Sequence, residues 1–188
     1  MEMRDKILAS AQRLLQQRGF NGFSYADIAS EVGIRKASLH HHFPSKADLG
    51  VSLIEQYSVN VNNALASISA SALPANKKLA AYASFYRSSL ESERMCLGGM
   101  LATEVQTLDV MILPGLKHFF TLNVKWLIEV LTEGVSQQIF TLSGSATDHA
   151  RILLSALQGA LLVARATGDR DAFDQTAALL IKALMRKG

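Results

Sequence analysis

Apolar residues recur along most of this chain at the three- and four-residue spacing of a helix, and no stretch keeps the two-residue alternation of a strand. From Asp5 to Gln17, Ile7, Leu8, Ala11, Leu14 and Leu15 make one stripe with charged residues opposite. Arg18-Gly19-Phe20 ends that helix, and Gly19 suits the left-handed position that follows a helix. Ser24 precedes a second short helix, with Asp27 three residues on as in a capping box, and Ala26, Ile28, Ala29 and Val32 as its expected buried side. Gly33 makes a sharp turn, and Arg35-Lys36 open a third helix that stops at Phe43-Pro44. Ser45 caps a fourth, with Lys46 in its first turn and Asp48 at the third position. Three short helices with a tight glycine turn between the second and third are a helix-turn-helix.

The rest of the chain also reads as helices. The fourth is expected to run to about Ser67, joining two domains without a flexible linker, and a loop surrounds Pro74. Lys77 to Glu91 carries Leu79, Tyr82, Ala83, Phe85, Tyr86 and Leu90; a kink region follows at Arg94 to Gly99, then a helix to about Leu108 and a break at Pro114-Gly115. Lys117 to Phe140 is apolar along one side, Thr141 to Thr147 is a polar loop, and two closing helices span about Asp148 to Thr167 and Asp171 to Arg186. The expected fold is all-α with about nine helices. Residues 1–48 are expected to form an N-terminal three-helix helix-turn-helix domain, and 49–188 a second, helical domain.

The chemistry concentrates in Ile34 to Leu49. Two adjacent cations, a hydroxyl and three histidines fall within two helical turns, while Leu39 and Phe43, at i and i+4, anchor the opposite edge. A helix that enters the major groove of DNA needs this division.

Residues 4 to 50 resemble the DNA-binding domain of the TetR family of bacterial transcriptional regulators. The matching motifs are A-x-x-L-x-x-x-x-G-F from Ala11 to Phe20, Ser24 at the start of helix 2, D-I-A-x-x-x-G from Asp27 to Gly33, and S-L-x-H-H-F-x-S-K from Ser38 to Lys46. The resemblance implies that Arg35, Lys36, Ser38, His40 and His41 face base edges or nearby phosphates, and that Ser24, Tyr25, His42 and Lys46 mainly clamp phosphates. Where the family pattern often has Ser or Thr near position 35 and Tyr at position 40, this chain has Arg35 and His40, so its base preference is its own. An arginine can bond guanine O6 and N7 with two parallel donors, worth about 1–3 kcal/mol of discrimination.

Composition narrows the picture. The 188 residues hold 49% hydrophobic side chains and three prolines, and no run of 18 or more apolar residues suggests a membrane span. The charged start, Met1 to Lys6, runs directly into an amphipathic helix and does not read as a secretory signal. One cysteine excludes an intramolecular disulfide and fits a reducing cytoplasm. Net charge is +3; residues 1–50 hold seven Lys/Arg against five Asp/Glu, so the case for DNA rests on local placement at Arg35, Lys36 and Lys46.

Ala156, Gly159, Ala160 and Val163 give the penultimate helix a narrow face, and Phe173, Ala177, Leu180, Ile181 and Leu184 give the last one a stripe. Both read as an interface. The resemblance implies that they pair with the same helices of a second subunit. Dimerisation has its own reason, since one short helix reads few base pairs and a two-fold dimer reads two half-sites. Tyr82, Phe85, Tyr86, Met100, Leu101, Phe119, Phe120, Asn123 and Trp126 are candidates to line an apolar effector cavity. Cys96 is a second candidate sensor, placed at a helix N-terminus two residues after Arg94, features that favour thiolate.

The expected partners are therefore a double-stranded DNA operator, a second copy of the chain and an unknown small-molecule effector, with no membrane. Two other classes fit the chain less well. An all-helical enzyme lacks support, because His118 and His149 have no metal-ligand spacing and Glu104 and Asp109 have no partner base; neither a metal nor another cofactor is expected. A nonspecific architectural DNA binder would not need so apolar a second domain.

Overall fold

The computed structural model describes residues 2–186. Among these residues the chain is all-α: α1 Met3–Arg18, α2 Tyr25–Val32, α3 Lys36–His42, α4 Lys46–Ala70, α5 Ala75–Glu91, α6 Leu97–Thr103, α7 Leu113–Ser136, α8 Ala146–Thr167 and α9 Arg170–Leu184, with a 3-10 turn at Val110–Ile112. An isolated antiparallel bridge joins Phe140 to Met185.

The chain divides into two compact units, Met1–Asn60 with Arg94–Phe119, and Val61–Glu93 with Phe120–Gly188. Both α4 and α7 contribute residues to each unit. In the first, Ile7, Leu8, Leu15, Ile28, Leu39, Leu49, Leu53 and Ile54 are fully buried. In the second, Leu65, Leu79, Tyr82, Leu127, Leu131, Leu161 and Phe173 are buried.

Local chemistry explains the N-terminal elements. The Ser24 side chain accepts from the Asp27 N–H while an Asp27 carboxylate oxygen accepts from the Ser24 N–H at 2.7 Å, a reciprocal cap on α2. Ser45 and Asp48 repeat it at the start of α4, with Asp48 N–H to Ser45 Oγ at 3.1 Å and Ser45 N–H to Asp48 at 3.0 Å. Gly33 ends α2 at φ +76°, and a Cβ there would meet nothing within 4 Å. The demand for glycine is thus conformational, not steric.

Four expectations need correction. Ala26 is exposed, and the buried side of α2 is Tyr25, Ile28 and Ala29. Pro114-Gly115 is no break: both lie in the first turn of α7, where proline forfeits an N–H that has no intrahelical partner anyway. The helix after Arg94 ends at Thr103, short of Leu108. Finally α7 ends at Ser136, short of Phe140, because the chain turns through Gln138 at φ +60° and pairs backbone with the end of α9, Thr141 N–H to Leu184 O and Arg186 N–H to Ile139 O, both 2.9 Å.

Candidate DNA-reading surface and effector elements

α3 has two unlike sides. Leu39 and Phe43 are 0% and 2% exposed, while Arg35, Lys36, Ser38, His40 and His41 are exposed and His42 is half-buried. Arg35 occupies the N-cap with extended backbone, and the Phe43 N–H closes the helix on Leu39 O at 2.9 Å. His40 is exposed yet tethered: Nδ1 lies 3.2 Å from Pro44 O, and its ring centroid is 4.8 Å from that of Tyr25.

The residues expected to clamp phosphate are arranged differently. Ser24 is exposed at the α2 cap, with its hydroxyl donating to Asp27 at 2.6 Å. Tyr25 is 5% exposed, and its hydroxyl lies 2.9 Å from Phe43 O and 2.6 Å from Ser45 O. Burial first, and then the Asp48 charge, push its phenol up to about 12, so it stays a donor. Lys46 is half-buried; Nζ donates to Phe23 O and lies 4.9 and 4.5 Å from the Phe20 and Phe23 ring centroids. Burial lowers its pKa, against the opposing charges of Glu104 and Asp27. Both side chains are turned into the fold: Tyr25 holds the junction between α3 and α4, and Lys46, at the start of α4, is tied to the segment before α2.

Comparison with known proteins settles what this arrangement belongs to. The model of bacterial regulatory proteins of the tetR family matches residues 7–52. A TetR-family transcriptional regulator from Agrobacterium tumefaciens is 33% identical, superimposes with a TM-score of 0.94, and is covered over 97% of each chain. A TetR transcriptional regulator from Legionella pneumophila is 32% identical, with a TM-score of 0.88 and 98% of each chain covered.

The chain belongs to the TetR family.

The HTH-type transcriptional repressor DhaR of Mycobacterium sp. (strain GP1) is also similar, at 22% identity over 97% of this chain and 92% of that one.

In this TetR-family regulator the residues expected at the effector site divide between the units. In the second unit, the Tyr82 hydroxyl lies 2.9 Å from both the Tyr86 hydroxyl and Asn123 Oδ1, and Asn123 is 2% exposed. Gln158 Nε2 reaches the Tyr86 hydroxyl at 3.5 Å. Trp126 stacks on Tyr82 at 5.3 Å and donates its indole N–H to Leu65 O and Ser69 Oγ at 3.1 and 2.8 Å. Phe120 is half-buried, and Phe85, expected to line the cavity, is 38% exposed. Its position one residue before Tyr86 turns it off the buried side of α5. The cavity that does open among α5, α7, α8 and α9 is about 10 Å³, lined by Leu79, Tyr82, Leu127, Leu153 and Leu157 among others. That volume is room for about one water.

In the first unit, Cys96 is the N-cap of α6 and 5% exposed, Leu101 is fully buried, and Met100 is half-buried. A Cβ on Gly98 would sit 2.3 Å from the Phe119 ring, so α6 and α7 touch through that glycine. The regulator braces this segment on its own helix-turn-helix. Gln16 Nε2 donates to Met95 O and the Met95 N–H to Gln16 O, both at 2.9 Å. The Asn21 N–H and Nδ2 donate to Glu104 and Thr107 Oγ1, both at 2.8 Å. Periodicity carried no sign of these ties, which span 79 to 86 residues.

The last two helices present another face than the stripe expected. Phe173, Ala177 and Leu184 are 1%, 7% and 5% exposed, turned into the chain's own core, and Ala156, Ala160, Leu180 and Ile181 are half-buried. Gly159 and Val163 are exposed, and the outward apolar groups beside them are Ile152, Leu162 and Leu179. α8 is also the one helix among the described residues long and apolar enough to cross a membrane, with a third of its most apolar stretch buried.

Proposed function

We propose that this TetR-family regulator is a cytoplasmic homodimeric repressor that reads a palindromic operator through α3 and leaves it when a small apolar or aromatic ligand binds. The two-sided character of α3 carries this reading. Leu39 and Phe43 anchor it, and Arg35, Lys36, Ser38, His40 and His41 remain outward with donors that suit bases and phosphates. Ser24 and His42 are the proposed flanking phosphate contacts. Tyr25 and Lys46 serve in this reading as internal supports of α3, and any phosphate contact they make is through a minority of their surface. Residues 1–48 act as the DNA-binding domain and 49–188 as the effector and dimerisation domain. Repression is supported by the name of the DhaR relative, a transcriptional repressor.

The proposed dimer face is Ile152, Gly159, Leu162, Val163 and Leu179, whose exposure in a single chain is otherwise unexplained. A two-fold pairing there would place two α3 helices on half-sites one or more helical turns apart. The ligand would enter around Tyr82, Tyr86, Asn123 and Trp126, aromatic walls with a few convergent polar groups. The 10 Å³ cavity must widen to admit it, and that repacking is the switch. The carrier is α4, which contributes to both units, together with the α6 segment tied to Gln16 and Asn21. A coupling of about 1–3 kcal/mol would change operator affinity about 5- to 150-fold. Modification of Cys96 is the second proposed trigger; its burial favours the ligand, since a reagent would need α6 to open first.

Selection of binders from a random duplex pool at about 0.15 M salt tests the reading, because weak nonspecific binding fades there. An enriched inverted repeat is expected, and Arg35→Ala should weaken binding to it by more than to random DNA. Equal weakening would move Arg35 to a phosphate, and no enrichment would favour an architectural binder.

A further inference from the structure

We propose that the first unit carries a separate ligand site, for a small oxyanion such as a phosphate monoester or a carboxylate, in the cleft between α1, the end of α2 and Arg94. It is independent of the effector site proposed above. The cleft has a volume of about 510 Å³ and is bordered by Lys6, Ser10, Gln12, Arg13, Glu31 and Arg94. Lys6, Ser10 and Arg13 fall on one face of α1, at the spacing that aligns side chains along a helix.

Charge is the first argument. Three cations face one carboxylate, and that carboxylate is taken: Glu31 pairs with Arg13, whose Nε donates to it at 3.2 Å. Among the described residues neither Lys6 nor Arg94 forms an ion pair, so two positive charges border the cleft without a counterion from the chain.

Hydrogen bonding is the second argument and stands apart from charge. Ser10 Oγ and Arg94 Nε are two of the three buried side-chain polar atoms without a hydrogen-bond partner among the described residues, and both residues border this cleft. Ser10 is 5% exposed. A buried serine within a helix usually returns its proton to the carbonyl four residues back, as Ser58 does to Ile54 O at 2.7 Å; Ser10 does not. Native structures leave few such groups unmade, because each costs its desolvation without return. A hydroxyl and a guanidinium N–H, both donors and both unused, beside a lysine ammonium, fit an acceptor-only anionic group. The volume exceeds what inorganic phosphate fills, so the natural ligand would be a small metabolite with a phosphate or carboxylate head.

The placement gives binding a consequence. Arg94 precedes Met95, which exchanges two hydrogen bonds with Gln16 of α1. An anion held by both Arg94 and Lys6 adds a further tie between α1 and the segment entering α6.

The test is a titration of the full chain followed by amide NMR, with inorganic phosphate and malonate added in separate arms at constant ionic strength. Saturable shifts at the Ser10 and Arg94 amides are expected, and the more effective anion assigns the head group. Arg94→Gln should weaken that affinity about tenfold or more, as loss of a charged donor does. Ser10→Ala should weaken it severalfold and decides the question if Arg94→Gln fails to fold. Lys77→Gln, on α5, should leave it unchanged. The proposal fails if neither anion saturates, or if the variants bind as the unmodified chain does. It fails equally if random duplex DNA shifts the same amides and displaces phosphate, since the cleft would then be a contact for the DNA backbone.

Discussion

Replacing Tyr25 by phenylalanine isolates one oxygen. The ring keeps its buried position and its packing beside His40 at 4.8 Å, while the hydroxyl that lies 2.9 Å from Phe43 O and 2.6 Å from Ser45 O disappears. Those carbonyls bracket Pro44, where the chain leaves α3 for α4, so the loss falls on the geometry that aims the recognition helix. Leaving the buried Phe43 carbonyl without its donor costs about 1–3 kcal/mol. Urea unfolding at pH 7 should register that loss when both proteins are compared at one concentration, because subunit association would raise apparent stability. Hydrogen exchange should localise it: the Phe43 amide, bonded to Leu39 O, should exchange about 5- to 150-fold faster. The dependence on pH has a definite sign. The phenol is raised from 10.0 to about 12, so its contribution is fully present below pH 10 and is lost as pH rises toward 12. The gap between wild type and Tyr25→Phe should therefore hold constant to pH 10 and shrink above it. A variant with unchanged stability and exchange but weakened DNA binding would refute this reasoning and return Tyr25 to the phosphate contacts.

Three other outcomes check separate parts. Leu162→Glu combined with Val163→Glu changes side chains that are 50% and 58% exposed, so folding should shift little, within about 0.5 kcal/mol per site, while light scattering shows a monomer; a persistent dimer places the interface elsewhere. Cys96→Ser should keep operator affinity and abolish any response to electrophiles, and a retained response removes the thiol trigger. Lys78 donates to both oxygens of Glu133 at 2.9 Å and is buried, whereas Glu133 is half-buried and can rehydrate, so Lys78→Ala should cost about 1–3 kcal/mol in urea unfolding read by Trp126 fluorescence; no loss would mean the pair contributes nothing.

Much of the first fifty residues is legible because the signals there are local. The Ser24–Asp27 cap, the left-handed Gly33 and the i, i+4 pair Leu39 and Phe43 each depend on neighbours within a turn, so the residue types alone determine the helix-turn-helix and which edge of α3 faces outward. The same logic fails in α8 and α9, where apolar residues lie on more than one side. Periodicity there cannot tell Phe173, Ala177 and Leu184, which the monomer buries, from Ile152, Leu162 and Leu179, which it leaves outside. Tertiary packing made that choice. It also turned Tyr25 and Lys46 inward, onto carbonyls 18 to 23 residues away, and brought Arg94 to α1, because a partner across such a separation leaves no period in the chain.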